Sequence, residues 1–167
     1  MRIIPVKIKY KMASVPMLVD DEDYEMLCKR KWSFDTVGRP RTGVTHKGFL
    51  PNRVQVHVRV HKAILWSPPG YEIDHIDGDP LNNQKANLRV CTHKENSRNQ
   101  KKHSNAFSKI KGACWHKQHQ KWQARIHPDG KSISLGLFET AEEAGKVYDE
   151  AAKKLFGEYA RLNTYDN

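Results

Sequence analysis

The chain has 167 residues, with 29 Lys and Arg against 19 Asp and Glu and a formal net charge of +10. That length suits one ordinary domain or two small ones and excludes a large multidomain enzyme. No apolar run approaches the roughly 18 residues of a membrane span, and the Pro and three Lys of MRIIPVKIKYK interrupt any secretory leader. Three widely spaced cysteines, Cys28, Cys91 and Cys114, make neither a disulfide framework nor a CxxC zinc knuckle. The composition implies a soluble, basic, cytoplasmic protein with a polyanionic partner, nucleic acid first.

In chain order, residues 19–27 (VDDEDYEML) read as a short helix with an acidic first turn, offering Leu18, Met26 and Leu27 for burial. Residues 53–60 alternate as a strand. Val54, Val56, Val58 and Val60 face one way; Arg53, Gln55, His57 and Arg59 face the other, and Arg53, Gln55 and Arg59 are candidates for contact with DNA. HKAILW, residues 61–66, is a short helix stopped by Pro68-Pro69-Gly70. Residues 72–76 and 88–91 are two strands separated by a turn at Asp77-Gly78-Asp79-Pro80. A helix follows, opened by Thr92 with Glu95 three residues on. The polar, aperiodic residues 101–108 divide the chain into modules at 1–100 (motif core 72–100) and 109–167.

The second module reads as three strands and a helix. The strands span residues 112–117, 122–127 and 132–138, with Pro128-Asp129-Gly130 as a hairpin turn. The helix opens on a capping box, Thr140 with Glu143, and presents Ala144, Val147, Tyr148, Ala151 and Leu155 to the sheet; Gly157 ends it. Period two puts Ala113, Trp115, Trp122, Ala124, Ile126, Ile133, Leu135 and Leu137 on one apolar face. Cys114, His116, Gln123, Arg125, His127, Ser132 and Ser134 then line the other. Residues 101–135 hold eight basic side chains and one acidic, net +7, while the rest of the chain is far closer to balance. Lys117, Lys121 and Lys131 belong to that charge. A polar, basic three-stranded face of this kind can enter a DNA major groove.

The chemistry-bearing constellation is Asp74-His75, with Asn87 at +12 and Asn96 at +21 from the histidine. Asp74 offers an anionic oxygen and Asn96 a neutral carbonyl to a hard cation, so Mg²⁺ is the expected cofactor, with Mn²⁺ as a substitute. His75, mostly neutral at cellular pH, suits a general base. Asn87 is placed to brace the loop near His75. In its context, IDHIDGDPLNNQKANLRVCTHKENSRNQ, this constellation closely resembles the HNH nuclease motif of phage-type HNH homing endonucleases. The resemblance implies the ββα-metal (His-Me finger) fold, with Asp74 and Asn96 as metal ligands, His75 as base and Asn87 as the structural middle residue. His61 then stands where the family often keeps a supporting histidine. No zinc is expected, because the Cys pairs that bind it in many relatives are missing.

VDDEDYEMLCKRKWSF and HKAILW look like the N-terminal part of the same nucleases. Residues 111–163, with LGLFETAEEA, Tyr148-Asp149-Glu150-Ala151-Ala152 and Leu162-Asn163, resemble the Apetala-type (ethylene-response-factor-like) DNA-binding domain. In that family three strands dock in the major groove. The matching positions here, Cys114, His116, Arg125, His127, Ser132 and Ser134, mostly depart from the plant pattern of Arg and Trp, so the fold transfers and the plant target sequence does not.

The expected class is therefore α+β. A ββα-metal nuclease module with added antiparallel strands precedes a three-stranded antiparallel sheet packed on one helix. The expected function is a metal-dependent, site-specific DNA endonuclease of the homing type, acting on double-stranded DNA as a nicking monomer in a bacterial or phage-infected cell. A DNA-binding regulator with an inactive nuclease module is the rival, and a non-specific or RNA-directed nuclease comes third.

Overall fold

The computed structural model describes residues 1–7, 14–46, 54–100 and 108–165, with backbone alone at 44–46, 54 and 55. The chain is of the α+β class and forms two compact units, Met1–His93 and Lys94–Asn167. The expected linker at residues 101–108 lies, but for Ser108, outside the described residues.

The first unit is built on a five-stranded sheet in the order β2-β1-β3-β4-β5. Its strands are β1 (Arg2–Lys7), β2 (Ser14–Val19), β3 (Trp32–Phe34), β4 (Pro40–His46) and β5 (Val54–Arg59). All neighbours are antiparallel except β1 and β3, which run parallel through Val6↔Trp32 and Lys7↔Ser33. The core is Ile4, Val6, Met17, Val19, Leu27, Trp32 and Val60, closed by helices α1 (Asp21–Cys28) and α2 (Val60–Ile64). Val19 ends a strand instead of opening the helix. Met26 is 44% exposed, and of Leu18, Met26 and Leu27 only Leu27 is fully buried. Val56 is likewise 42% exposed, so β5 buries its apolar side only partly. The hairpin β6 (Tyr71–His75) and β7 (Leu88–Thr92) completes this unit, with a tight turn at Lys85–Asn87 leading into β7. The loop before that turn is stitched to β2: the N–H of Leu18 donates to Leu81 and the N–H of Asn83 to Leu18, both at 2.9 Å.

The second unit contains helix α3 (His93–Asn99) from its second residue on, the antiparallel sheet β10-β9-β8, and helix α4 (Ala141–Phe156). The strands are β8 (Ala113–His116), β9 (Lys121–Ile126) and β10 (Ile133–Phe138). Thr140 and Glu143 close the expected capping box reciprocally. The buried stripe of α4 is Ala144, Tyr148, Ala152 and Phe156, while Leu155 is 50% exposed. Asn163 and Tyr165 of the tail bond the Asp149 carboxylate, on another side of the helix from Leu155.

The sheet departs from strict alternation at one place. Between Ser134 and Gly136 the register of β10 against β9 shifts, leaving Leu135 as an extra residue with Gly136 at φ +135°. Leu137 therefore lies opposite Gln123 on the polar face, 40% exposed, and Phe138 takes the apolar position opposite Trp122. Trp115 stacks edge-on against Trp122 at 5.3 Å on the apolar side, yet is 41% exposed on its edge strand.

Candidate functional site

Asp74 and His75 are the last two residues of β6, and both are buried, at 8% and 9% exposure. Consecutive strand residues point to opposite sides, so each has its own surroundings. Asp74 lies opposite Arg89 in the hairpin register. Its Oδ2 accepts from Nε and Nη2 of that arginine at 3.1 and 2.9 Å. The Arg89 side chain is only 10% exposed, so the pair is a largely covered fork that balances the charge of the carboxylate. This partner was not anticipated, although its place opposite Asp74 follows once β6 and β7 are paired.

His75 faces different neighbours. Its Nε2 lies 3.2 Å from Oδ1 of Asn83, and its ring meets that of His61 edge-on at 5.2 Å. His61, on α2, is 6% exposed. Burial, then the neighbouring His75, hold its pKa down at about 3, so the ring is neutral. Burial also lowers the pKa of His75 against the raising effects of the Asn83 bond and of Asp77 and Asp74. A neutral imidazole beside a carboxylate can accept a proton.

The loop between the strands is held by Asn87. Its Nδ2 donates to Asp77 Oδ1 at 2.9 Å and to the Asn82 carbonyl at 2.8 Å; its Oδ1 accepts from the Asp77 N–H at 3.1 Å. Its own carbonyl accepts from the N–H of Ile76, next to His75. Burial would raise the pKa of Asp77, but the N–H of Asp79 and the amides of Asn87 and Asn82 outweigh it and keep that carboxylate ionised. Asp74, His75, Asn87 and His61 thus share the first unit. Asn96 lies on α3, in the part of that helix belonging to the second unit. There α3 is anchored by Lys94 and Arg98, which both pair with Asp129, and by Lys111, whose Nζ donates to the carbonyls of Arg98 and Gln100.

The candidate DNA contacts form two sets. On the first sheet, Arg53 lies outside the described residues, as does the side chain of Gln55. Arg59 pairs across β4 with Arg41, Arg41 with Ser33 on β3, and Ser33 with Lys7 on β1. Paired residues share a face, so Lys7, Arg41 and Arg59 form a cationic row on the side away from the core. Asp35 lies 3.5 Å from Arg59, and Arg41 Nε has no hydrogen-bond partner among the described residues. Lys7 and Arg41 went unremarked in the sequence because only the pairing of separate strands aligns them.

In the second unit Cys114 and His116 on β8, Lys121 and Arg125 on β9 and Ser134 on β10 share the polar face. Gln123 ties them together, donating to Ser134 and accepting from Arg125 at 2.8 and 2.7 Å. His127, Lys131 and Ser132 flank the hairpin turn and Lys117 follows β8, outside the regular strands. Lys121 pairs with Glu139 at 2.7 Å.

Residues 66–98 match the family model of an HNH endonuclease, a span holding Asp74, His75, Asn87 and Asn96. The chain is 37% identical over 107 residues to Protein 3.8 of Escherichia phage T7, covering 64% of this chain and 88% of the phage protein. It is 27% identical over 147 residues to an uncharacterized HNH endonuclease, L560, of Acanthamoeba polyphaga mimivirus, covering 87% and 73% of the two chains. A shorter likeness, 51% over 45 residues, links 26% of the chain to 13% of dehydration-responsive element-binding protein 2A of Arabidopsis thaliana. The match to the family model across the hairpin and α3, and the near-full coverage of the T7 protein, have one consequence: this chain belongs to the HNH endonuclease family.

Proposed function

We propose that the protein is a metal-dependent, site-specific endonuclease of the homing type, cutting one strand of double-stranded DNA per bound monomer. One observation carries the reading: a buried, neutral His75 next to Asp74, whose carboxylate pairs with Arg89, at the end of a strand, in a strand-loop-strand-helix segment matching the HNH family model. Asp74 and Asn96 would hold the cation, Mg²⁺ first. Their donors are hard oxygens, and Asp74 brings a single formal charge already balanced by Arg89. The chemistry such a cation supplies when bound is neutralisation of charge on the phosphate and on the departing oxygen. His75 takes the proton of the attacking water, and burial keeps its lone pair available at neutral pH. Asn87 holds the loop that carries Asp77, and His61 packs against the His75 ring without competing for the proton.

The second unit is, in this reading, an Apetala-type DNA-binding domain. It lays Cys114, His116, Arg125 and Ser134 toward the groove, with Lys117, Lys121, His127, Lys131 and Ser132 around them. The short matches to plant transcription factors support it. Arg53, Gln55 and Arg59 join Lys7 and Arg41 as contacts from the first unit.

The test is supercoiled plasmid incubated with the chain and Mg²⁺ or Mn²⁺, with and without EDTA. Relaxed circles that need the metal are expected. His75→Ala should lose at least about 100-fold in cleavage rate, as removal of a general base does, with DNA affinity unchanged. Retarded but uncut DNA in every condition would overturn the reading, and an equal loss of binding in His75→Ala would make His75 a contact residue instead.

A further inference from the structure

A neutral imidazole carries its proton on one nitrogen and its lone pair on the other, and the hydrogen bond made by one nitrogen decides the role of both. At His75 that bond runs from Nε2 to Oδ1 of Asn83. Asn83 is 0% exposed, and its carboxamide cannot be reversed. Its Nδ2 donates to the carbonyl of Pro80 at 2.9 Å. A carbonyl can only accept, so turning the amide would set two oxygens against each other in a buried place. The atom facing His75 is therefore an oxygen, an acceptor with no proton to give. It is satisfied only when Nε2 bears the hydrogen.

The backbone of Asn83 is fixed as firmly as its side chain. Its N–H donates to the carbonyl of Leu18, and Leu18 also forms a bridge with Asn82. Leu18 sits in β2 between Met17 and Val19, both at 0% exposure. The acceptor that reads the histidine is thus anchored on the core of the five-stranded sheet, through a loop of the nuclease hairpin.

We infer that Asn83 is a positioning residue for the proposed hydrolysis: it holds His75 as the Nε2–H tautomer and so assigns the lone pair, and the proton-accepting role, to Nδ1. The catalytic half of this statement rests on the nuclease reading above; the tautomer does not. The other tautomer would put a proton on Nδ1 and leave no lone pair there.

Two measurements test it on the full chain. Long-range proton–nitrogen correlation spectra of nitrogen-15-labelled protein at mildly alkaline pH distinguish the tautomers of His75 directly. Nε2–H is expected, and an Nδ1–H pattern would overturn the inference whatever the enzyme does. Asn83→Leu removes the acceptor at similar volume. It should lower kcat about 10- to 100-fold, the usual scale for losing a group that orients a catalytic ligand, with KM and DNA affinity unchanged and the single-tautomer pattern lost. If Asn83→Leu keeps both the wild-type tautomer and the wild-type kcat, the assignment falls; if that variant does not fold, the wild-type spectrum alone decides. Wild-type protein that shows Nε2–H but never cleaves would sink the nuclease reading and leave the tautomer standing.

Discussion

His61 spends stability to stay neutral. An imidazole in the unfolded chain titrates near 6.5, whereas burial first and the charge of a protonated His75 second hold His61 at about 3. Between those two values the unfolded chain binds one proton more than the folded one. Stability is therefore complete above about pH 6.5 and falls as the solution is acidified, by about 1.4 kcal/mol per pH unit for one such group. His75, lowered by the same burial, adds a loss of the same sign. His61→Phe keeps a ring in contact with His75 and removes one of the two titrations. Urea unfolding from neutral pH downward should show a shallower acid limb for that variant than for the wild type; equal limbs would mean His61 is protonated in the folded protein. Arg89 works the other way at Asp74, setting a guanidinium 2.9 Å from a buried carboxylate of the same hairpin.

At the scale of elements, the bulge in β10 changes which side chains the second unit offers to a partner. Gly136 has φ +135°, and a Cβ there would stand 3.1 Å from the Phe138 ring. Gly136→Ala should cost about 1–3 kcal/mol in thermal unfolding, the usual range for a side chain forced into a sparsely populated backbone region. Thr140→Ala, which removes one half of the capping box of α4, should cost about 1 kcal/mol. A Gly136→Ala variant as stable as wild type would mean that the strand can realign without the extra residue. The same element marks the limit of what parity in a sequence reveals. Alternation placed Cys114, His116, Arg125 and Ser134 on one face, and the pairing of β8, β9 and β10 agrees. It misassigned Leu137 because one inserted residue inverts every face beyond it.

The hairpin of Asp74 and His75 was legible from its turn residues, and α4 from its cap. Strands β1 and β2 were not, because each carries a proline that argues against a strand. The register explains the exception: Pro5 sits opposite Pro16, a pair that needs no hydrogen bond between them, and Pro5 lies before the residues of β1 that pair with β3. Asn83 was invisible for a different reason. Its importance comes from three partners, Leu18, Pro80 and His75, only one of them near it in sequence.

At the scale of the whole molecule, an excess of ten positive charges is only a statement about affinity until it is located. It has two addresses, the row Lys7, Arg41 and Arg59 on the first sheet and, in the second unit, the polar face with Lys121 and Arg125 together with Lys117 just after β8. They are not equally available. Asp35 faces Arg59, and Glu139 pairs with Lys121 at 2.7 Å, so part of the charge is already neutralised at home. If one duplex engages both units, the logarithm of the binding constant should fall linearly with the logarithm of salt, and each phosphate contact removed should flatten that slope by about 0.9. Replacing Lys7, Arg41 and Arg59 together by Gln, and separately Lys117, Lys121 and Arg125, splits the slope into its two sources. Within the second set, Lys121→Gln alone should change it least, since its removal leaves Glu139 as an uncompensated negative charge but gives up no unpaired cation. A slope unmoved by the first triple would place the whole grip on DNA in the second unit and leave the row on the five-stranded sheet without a phosphate to hold.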